Sequence, residues 1–162
     1  ADYDTPGEVA AYFAPKIGAL DIGRYPSGTD STVEKLCRIL SESGFIAEAR
    51  DNVMESKYRK LLANLRNIID AALEDAELQR KWYARALAEA EAVLTAAGIA
   101  WDQTDAMARE ELTITAIPGR TRVGSSTLQS IVRGTGSLET DFLNGEIVLL
   151  GRLHGMATPV NA

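Results

Sequence analysis

The chain reads as a mainly α protein with a short β-hairpin appendage at its N-terminus. Three observations predict this. Apolar residues recur at helical spacing along two long segments, 51–74 and 76–97. Shorter segments with the same periodicity and recognisable start or stop signals lie at 29–43, 125–132 and 140–154. The segment Gly7 to Ser27 carries β-type residues broken by Pro15 and by Pro26.

Taken in order, Gly7 to Ser27 predicts two short strands joined by a turn near Ala14 to Lys16, with Gly18 and Gly23 as further turns. Thr29 or Ser31 can cap a helix to about Ser43 that turns Val33, Leu36, Cys37 and Leu40 inward; Gly44 closes it, and Phe45 to Ala49 is a strand. Asp51 to Glu74 predicts one long helix. Its apolar face is Met54, Tyr58, Leu61, Leu62, Leu65, Ile68, Ile69 and Ala72, and a charged sector holds Arg59, Arg66, Asp70 and Glu74. Ala76 to Ala97 predicts a second, with Leu78, Trp82, Leu87, Ala90 and Leu94 inward and Glu77–Lys81 and Arg85–Glu89 as ion pairs one turn apart. A weaker helix is expected over Asp102 to Leu112, then a loop to Gly124 in which Arg120 and Arg122 are solvated. Ser126 and Gln129 form a capping box for a short helix from Ser125 to Val132. The last helix, about Thr140 to His154, turns Phe142, Leu143, Ile147, Leu150 and Leu153 inward, and Gly155 ends it.

Composition narrows the function. With 162 residues, 46% of them hydrophobic and 25% charged, the chain can bury one sizeable core. A net charge of -6 argues against duplex nucleic acid and against a membrane surface as partner. One cysteine, Cys37, and one histidine, His154, leave no disulfide framework, no metal-ligand cluster and no nucleophile–histidine pair of usual spacing. There is no G-x-G-x-x-G between a strand and a helix, hence no dinucleotide fingerprint. The N-terminus lacks a signal-peptide pattern and no apolar run reaches membrane-span length, so a cytoplasmic location is expected.

One strip of the 51–74 helix stands apart. Lys60, Asn64 and Asn67 lie at i, i+4 and i+7, a cationic donor in line with two amides. Asparagine is about 0.6 kcal/mol worse than alanine in a helix. The strip is therefore either a solvated face or a cleft wall, an ammonium that can release a proton beside amides that donate and accept hydrogen bonds. Ser125 and Ser126, at a helix start, can cap or can bind a carboxylate or phosphate. Glu139 leads into the last helix, where a carboxylate suits the helix dipole.

Together, Tyr58-x-Lys60-Leu61-Leu62-x-Asn64, Ser125-Ser126-Thr127-Leu128-Gln129, Arg133-Gly134, Glu139-Thr140-Asp141-x-Leu143-Asn144-Gly145 and Gly155-Met156-x-Thr158-Pro159-x-Asn161 resemble the C-terminal domain of the ketopantoate reductase (2-dehydropantoate 2-reductase) family. The resemblance implies a helical domain of the 6-phosphogluconate-dehydrogenase-like type over 51–162, with 1–50 as the tail of a nucleotide-binding domain. It also implies an NADPH-dependent reduction of 2-dehydropantoate to pantoate, on the route to pantothenate, with the cofactor held mainly by an N-terminal Rossmann domain not included in these 162 residues. By position, Lys60 matches the general acid, Asn64 and Ser126 substrate-binding groups, with Asn67 and Ser125 beside them, and Glu139 a cofactor contact; no metal is implied. The chain departs from the family at Tyr58 (usually Trp), at Ile68, where the second helical Asn usually stands, and at Ser130 (usually Asp), which leaves the particular 2-keto acid open.

A start at Ala1 without Met and an end at Ala162 just after a helix-opening Pro159 lead us to expect a longer parent chain. A partner is expected in the parent's own Rossmann domain, with a homodimer possible. The rival expectation is a stand-alone helical interaction or dimerisation module without catalysis.

Overall fold

The computed structural model describes residues 7–104, 111–120, 124–134 and 138–162. In chain order its elements are β1 (Phe13–Pro15), β2 (Ala19–Ile22), α1 (Ser31–Glu42), β3 (Ile46–Ala49), α2 (Val53–Asn64), α3 (Arg66–Ala72), α4 (Ala76–Ala96), β4 (Leu112–Ile114), α5 (Ser126–Val132) and α6 (Thr140–Leu153). The mainly α expectation is met. The chain forms two compact units, Ala1–Lys57 with Asp102–Arg122 and Tyr58–Trp101 with Val123–Ala162.

In the first unit β2 and β3 are parallel, Ala19 opposite Ile46 and Ile22 opposite Ala49. A parallel pair needs a crossover, and α1 provides it. β1 pairs antiparallel with β4, Phe13 opposite Ile114. This corrects the expected hairpin. Both strands form, but an isolated two-stranded hairpin is marginal, and each strand instead joins a partner from a later segment. β4 also replaces the end of the helix expected over 102–112 and the start of the loop; residues 105–110 lie outside the described residues. Before them, Asp102 accepts the Thr104 N–H at 2.8 Å, closing a local turn where the helix was expected to start.

The cap of α1 is Asp30, not Thr29 or Ser31. Its Oδ1 accepts the N–H groups of Thr32 and Val33, both at 2.9 Å, and a carboxylate is the stronger acceptor there. The Val33 N–H, then the Arg24 guanidinium, hold the Asp30 carboxyl below its ordinary range. On α1 only Val33 is buried, and Cys37 is half-buried rather than in the core. Arg50 bridges Asp21 at 3.2 Å and Glu48 at 2.6 Å. Arg120 pairs with Glu8 instead of standing in water; Arg122 lies outside the described residues.

The core of the second unit is Leu62, Leu65, Ala90, Val93, Leu94 and Ile147, ringed by Tyr58, Leu61, Tyr83, Leu87, Ile99, Trp101, Leu150 and Met156. These residues come from α2, α4, α6 and the segments next to them. The long helix expected over 51–74 is interrupted at Leu65, whose N–H is shared between the carbonyls of Leu61 at 3.2 Å and Leu62 at 3.3 Å. The Tyr83 hydroxyl donates to the same Leu62 carbonyl at 3.4 Å. A carbonyl serving a tight turn and a phenol is diverted from the regular ladder, and the helix restarts as α3.

Both α4 and α6 end in the expected glycine. At α6 the Met156 N–H returns to the Gly151 carbonyl at 2.8 Å, with Gly155 at φ 67°, a Schellman closure. Gly151 is needed for a further reason: a Cβ there would meet Thr158 Cγ2 at 2.8 Å. The tail is held by Glu89, whose carboxylate accepts the N–H groups of Val160 and Asn161 and the Asn161 Nδ2 at 3.0–3.2 Å. The buried Asn161 also donates to the Ala86 carbonyl and accepts from Asn144. Among the described residues Glu89 therefore serves the tail rather than Arg85, which lies over the Trp82 ring at 4.9 Å from its centroid. Phe142, Leu153, Leu78 and Trp82, expected inward, are exposed.

Leu65, with no solvent exposure, tests this packing. Leu65→Ala should cost about 2–5 kcal/mol in urea unfolding, whereas Leu153→Ala should stay within about 0.5 kcal/mol. Equal losses would contradict the assignment of the core.

Candidate functional site

All six candidate residues lie in the second unit. Lys60 and Asn64 stand one turn apart on α2, Lys60 exposed and Asn64 half-buried. Asn67 lies beyond the interruption, on α3, so the strip expected on one continuous helix is carried by two.

Asn67 faces α5. Its Nδ2 donates to Ser126 Oγ at 3.3 Å, and its carbonyl accepts from Ser125 Oγ at 3.0 Å. Ser125 Oγ also accepts the Leu128 N–H at 3.3 Å, which makes Ser125 the cap of α5. The capping box expected from Ser126 and Gln129 is thus corrected by one position: Gln129 Nε2 turns to the Gly124 carbonyl at 3.5 Å, and Ser126, inside the first turn, is left exposed. The Ser125 N–H donates to Asp70 Oδ2 at 2.7 Å.

These bonds bring Asn67, Ser125 and Ser126 together in one α3–α5 junction. Lys60, Asn64 and Glu139 make no side-chain bond to it among the described residues. Glu139 is exposed at the start of α6, where its carbonyl accepts the Phe142 and Leu143 N–H groups and its side chain caps nothing.

Sequence reasoning missed Asp70 and Gly124. Asp70 was placed with the charged sector, yet its spacing of three from Asn67 puts the two on neighbouring faces of one helix, and that was a usable signal. Gly124 gave none. A Cβ on it would meet Asp70 Oδ2 at 2.9 Å and Leu128 Cδ2 at 2.7 Å. Asp70 also lines a cavity of about 110 Å³ with Arg66, Ile69, Gln79, Arg80 and Tyr83. Burial pushes the Tyr83 phenol up, and the Arg66 charge works against it. No group of metal-ligating side chains is found among the described residues, and no helix of the described residues is long and apolar enough to cross a membrane.

Fold and site define a mainly α domain in which a lysine-and-amide rod precedes a short serine-capped helix. The family described as ketopantoate reductase PanE/ApbA C terminal matches residues 52–162, and the chain belongs to that family. A 2-dehydropantoate 2-reductase of Pyrococcus horikoshii is 25% identical over 148 residues, 86% of this chain and 48% of that protein. The crystal structure of 2-dehydropantoate 2-reductase from Methylococcus capsulatus shares the fold with a TM-score of 0.66 and 20% identity, over 87% of this chain and 50% of that one. A D-mandelate dehydrogenase in ternary complex with NADH and anilino(oxo)acetate aligns with a TM-score of 0.62 and 24% identity, over 87% of this chain and 61% of that one. The chain thus spans about half the length of the 2-dehydropantoate 2-reductases it matches.

The two serines can be told apart. Ser125→Ala removes the cap and should cost about 1 kcal/mol in thermal or urea unfolding; Ser126→Ala should fall within about 0.5 kcal/mol. The reverse order would return the cap to Ser126.

Proposed function

We propose that this chain is the substrate-side part of an NADPH-dependent reductase that converts a 2-keto acid, in the first instance 2-dehydropantoate, to the 2-hydroxy acid, on the route to pantothenate in the cytoplasm. Residues 1–50 are the tail of the nucleotide-binding domain and residues 51–162 the catalytic helical domain, working with an N-terminal Rossmann domain of the same parent chain and assembling as a homodimer. The observation that carries the reading is the family match across residues 52–162, supported by the junction that joins Asn67 to Ser126. The oxo-carboxylate and NADH named with the D-mandelate dehydrogenase fit the same reaction class.

NADPH, when bound, supplies the hydride that adds to the keto carbon. The described residues of this chain form no glycine-rich phosphate cradle, so the pyrophosphate belongs to the N-terminal domain, and Glu139 is this chain's contact with the cofactor. As the carbonyl's electron pair collects on oxygen, the Lys60 ammonium stabilises the growing alkoxide and gives it a proton. Asn64 and Asn67 offer amide donors to the substrate, and the exposed Ser126 hydroxyl, with Ser125 behind it, holds the carboxylate.

In the full-length parent, Lys60→Ala should lower kcat for 2-dehydropantoate about 10²-fold or more in an NADPH-consumption assay. Unchanged turnover would remove Lys60 from the mechanism.

A further inference from the structure

The mechanism above needs Ser126 and Asn67 at a fixed separation, and neither holds itself there. Asn67 sits on α3, seven residues long, and Ser126 opens α5, also seven residues. Helices of two turns have little stability of their own and take their geometry from what they pack against. The Asn67–Ser126 bond, at 3.3 Å between two neutral groups, is too weak a link to set that geometry.

Asp70 is placed to do so. It lies one turn beyond Asn67 on the same short helix, and its carboxylate takes the Ser125 N–H at 2.7 Å, a charge-assisted bond of the stronger class. Ser125 is at once the cap of α5, the neighbour of Ser126 and a donor to the Asn67 carbonyl. A pull on its amide therefore sets the start of α5 against α3. Gly124 permits the approach, since any Cβ there would stand 2.9 Å from the carboxylate oxygen. In the family pattern the second helical amide falls at the position of Ile68, which offers no hydrogen bond; the Asp70 staple brings Asn67, one residue earlier, onto Ser126.

We infer that Asp70 is a positioning residue for substrate binding, fixing the start of α5 so that Ser126 and Asn67 address one substrate group. The inference rests on the reductase reading above. An acceptor of the right shape is what the position requires, so Asn can stand in for Asp in part and Ala cannot. Misplacing a binding group by about 1 Å can cost up to about 10²-fold.

The test is steady-state kinetics of the full-length parent with NADPH and 2-dehydropantoate, with folding of each variant checked by circular dichroism. Asp70→Ala should raise the keto-acid KM about 10-fold while the NADPH KM and kcat stay within about 2-fold. Asp70→Asn should bring the keto-acid KM most of the way back, and Gly124→Ala should reproduce the Asp70→Ala pattern. An unchanged keto-acid KM in folded Asp70→Ala overturns the inference, as does a loss of kcat that merely follows the unfolded fraction. Should the wild type reduce no 2-keto acid, the reductase reading fails separately. The staple is then judged from the Asn67 side-chain amide resonances: a shift in Asp70→Ala keeps it and an unshifted pair overturns it.

Discussion

Leu65 is wholly buried, and the way its backbone is accommodated shapes the second unit. A leucine side chain removed from water in this way contributes roughly 1.5–3 kcal/mol, enough to outweigh the distortion of one helical turn. The turn is distorted: the Leu65 N–H reaches two carbonyls, and one of them also receives the Tyr83 hydroxyl from α4. The rod carrying Lys60 and Asn64 therefore ends where the core demands it. A second, shorter rod begins, and its Asn67 and Asp70 meet α5.

The same economy recurs at the C-terminal tail. Glu89 collects three N–H donors from Val160 and Asn161, and Asn161 ties together α4 and α6 through Ala86 and Asn144. Buried polar groups are tolerated because their partners are present. A motif that looked like a family signature in the sequence is, physically, the clasp that holds α4 to α6.

Much of this was legible in the residues. Helix ends written in glycine came out as expected at Gly44, Gly98 and Gly155, since a left-handed closing residue is a local requirement. Leu62, Leu65, Leu94 and Ile147 were found by periodicity alone. What failed depended on partners distant in sequence. The break at Leu65 needs Tyr83, the pairing of β1 needs β4, and the role of Glu89 needs the tail. Cap choice failed for a subtler reason. Asp30 stands beside Thr29 and Ser31, and Ser125 beside Ser126, so adjacent residues competed with nearly equal propensity and tertiary contacts decided. Phe142 and Leu153 misled because apolar residues on α6 occur around more than one face. At the α3–α5 junction, the residue types and the family pattern pointed to Asn67, Ser125 and Ser126; Asp70 carried a signal in its spacing of three from Asn67, while Gly124 became visible only as a distance.

The central claim is that the amide and ammonium of the α2–α3 rod and the first turn of α5 address one small anionic ligand. Titrating isotope-labelled full-length parent, saturated with NADP⁺, with pantoate and following Lys60 Nζ, the Asn64 and Asn67 side-chain amides and the Ser126 amide tests it directly. The account predicts that all four shift together along one binding isotherm. Saturable binding that leaves Ser126 and Asn67 unmoved, or moves them without Lys60, would contradict it.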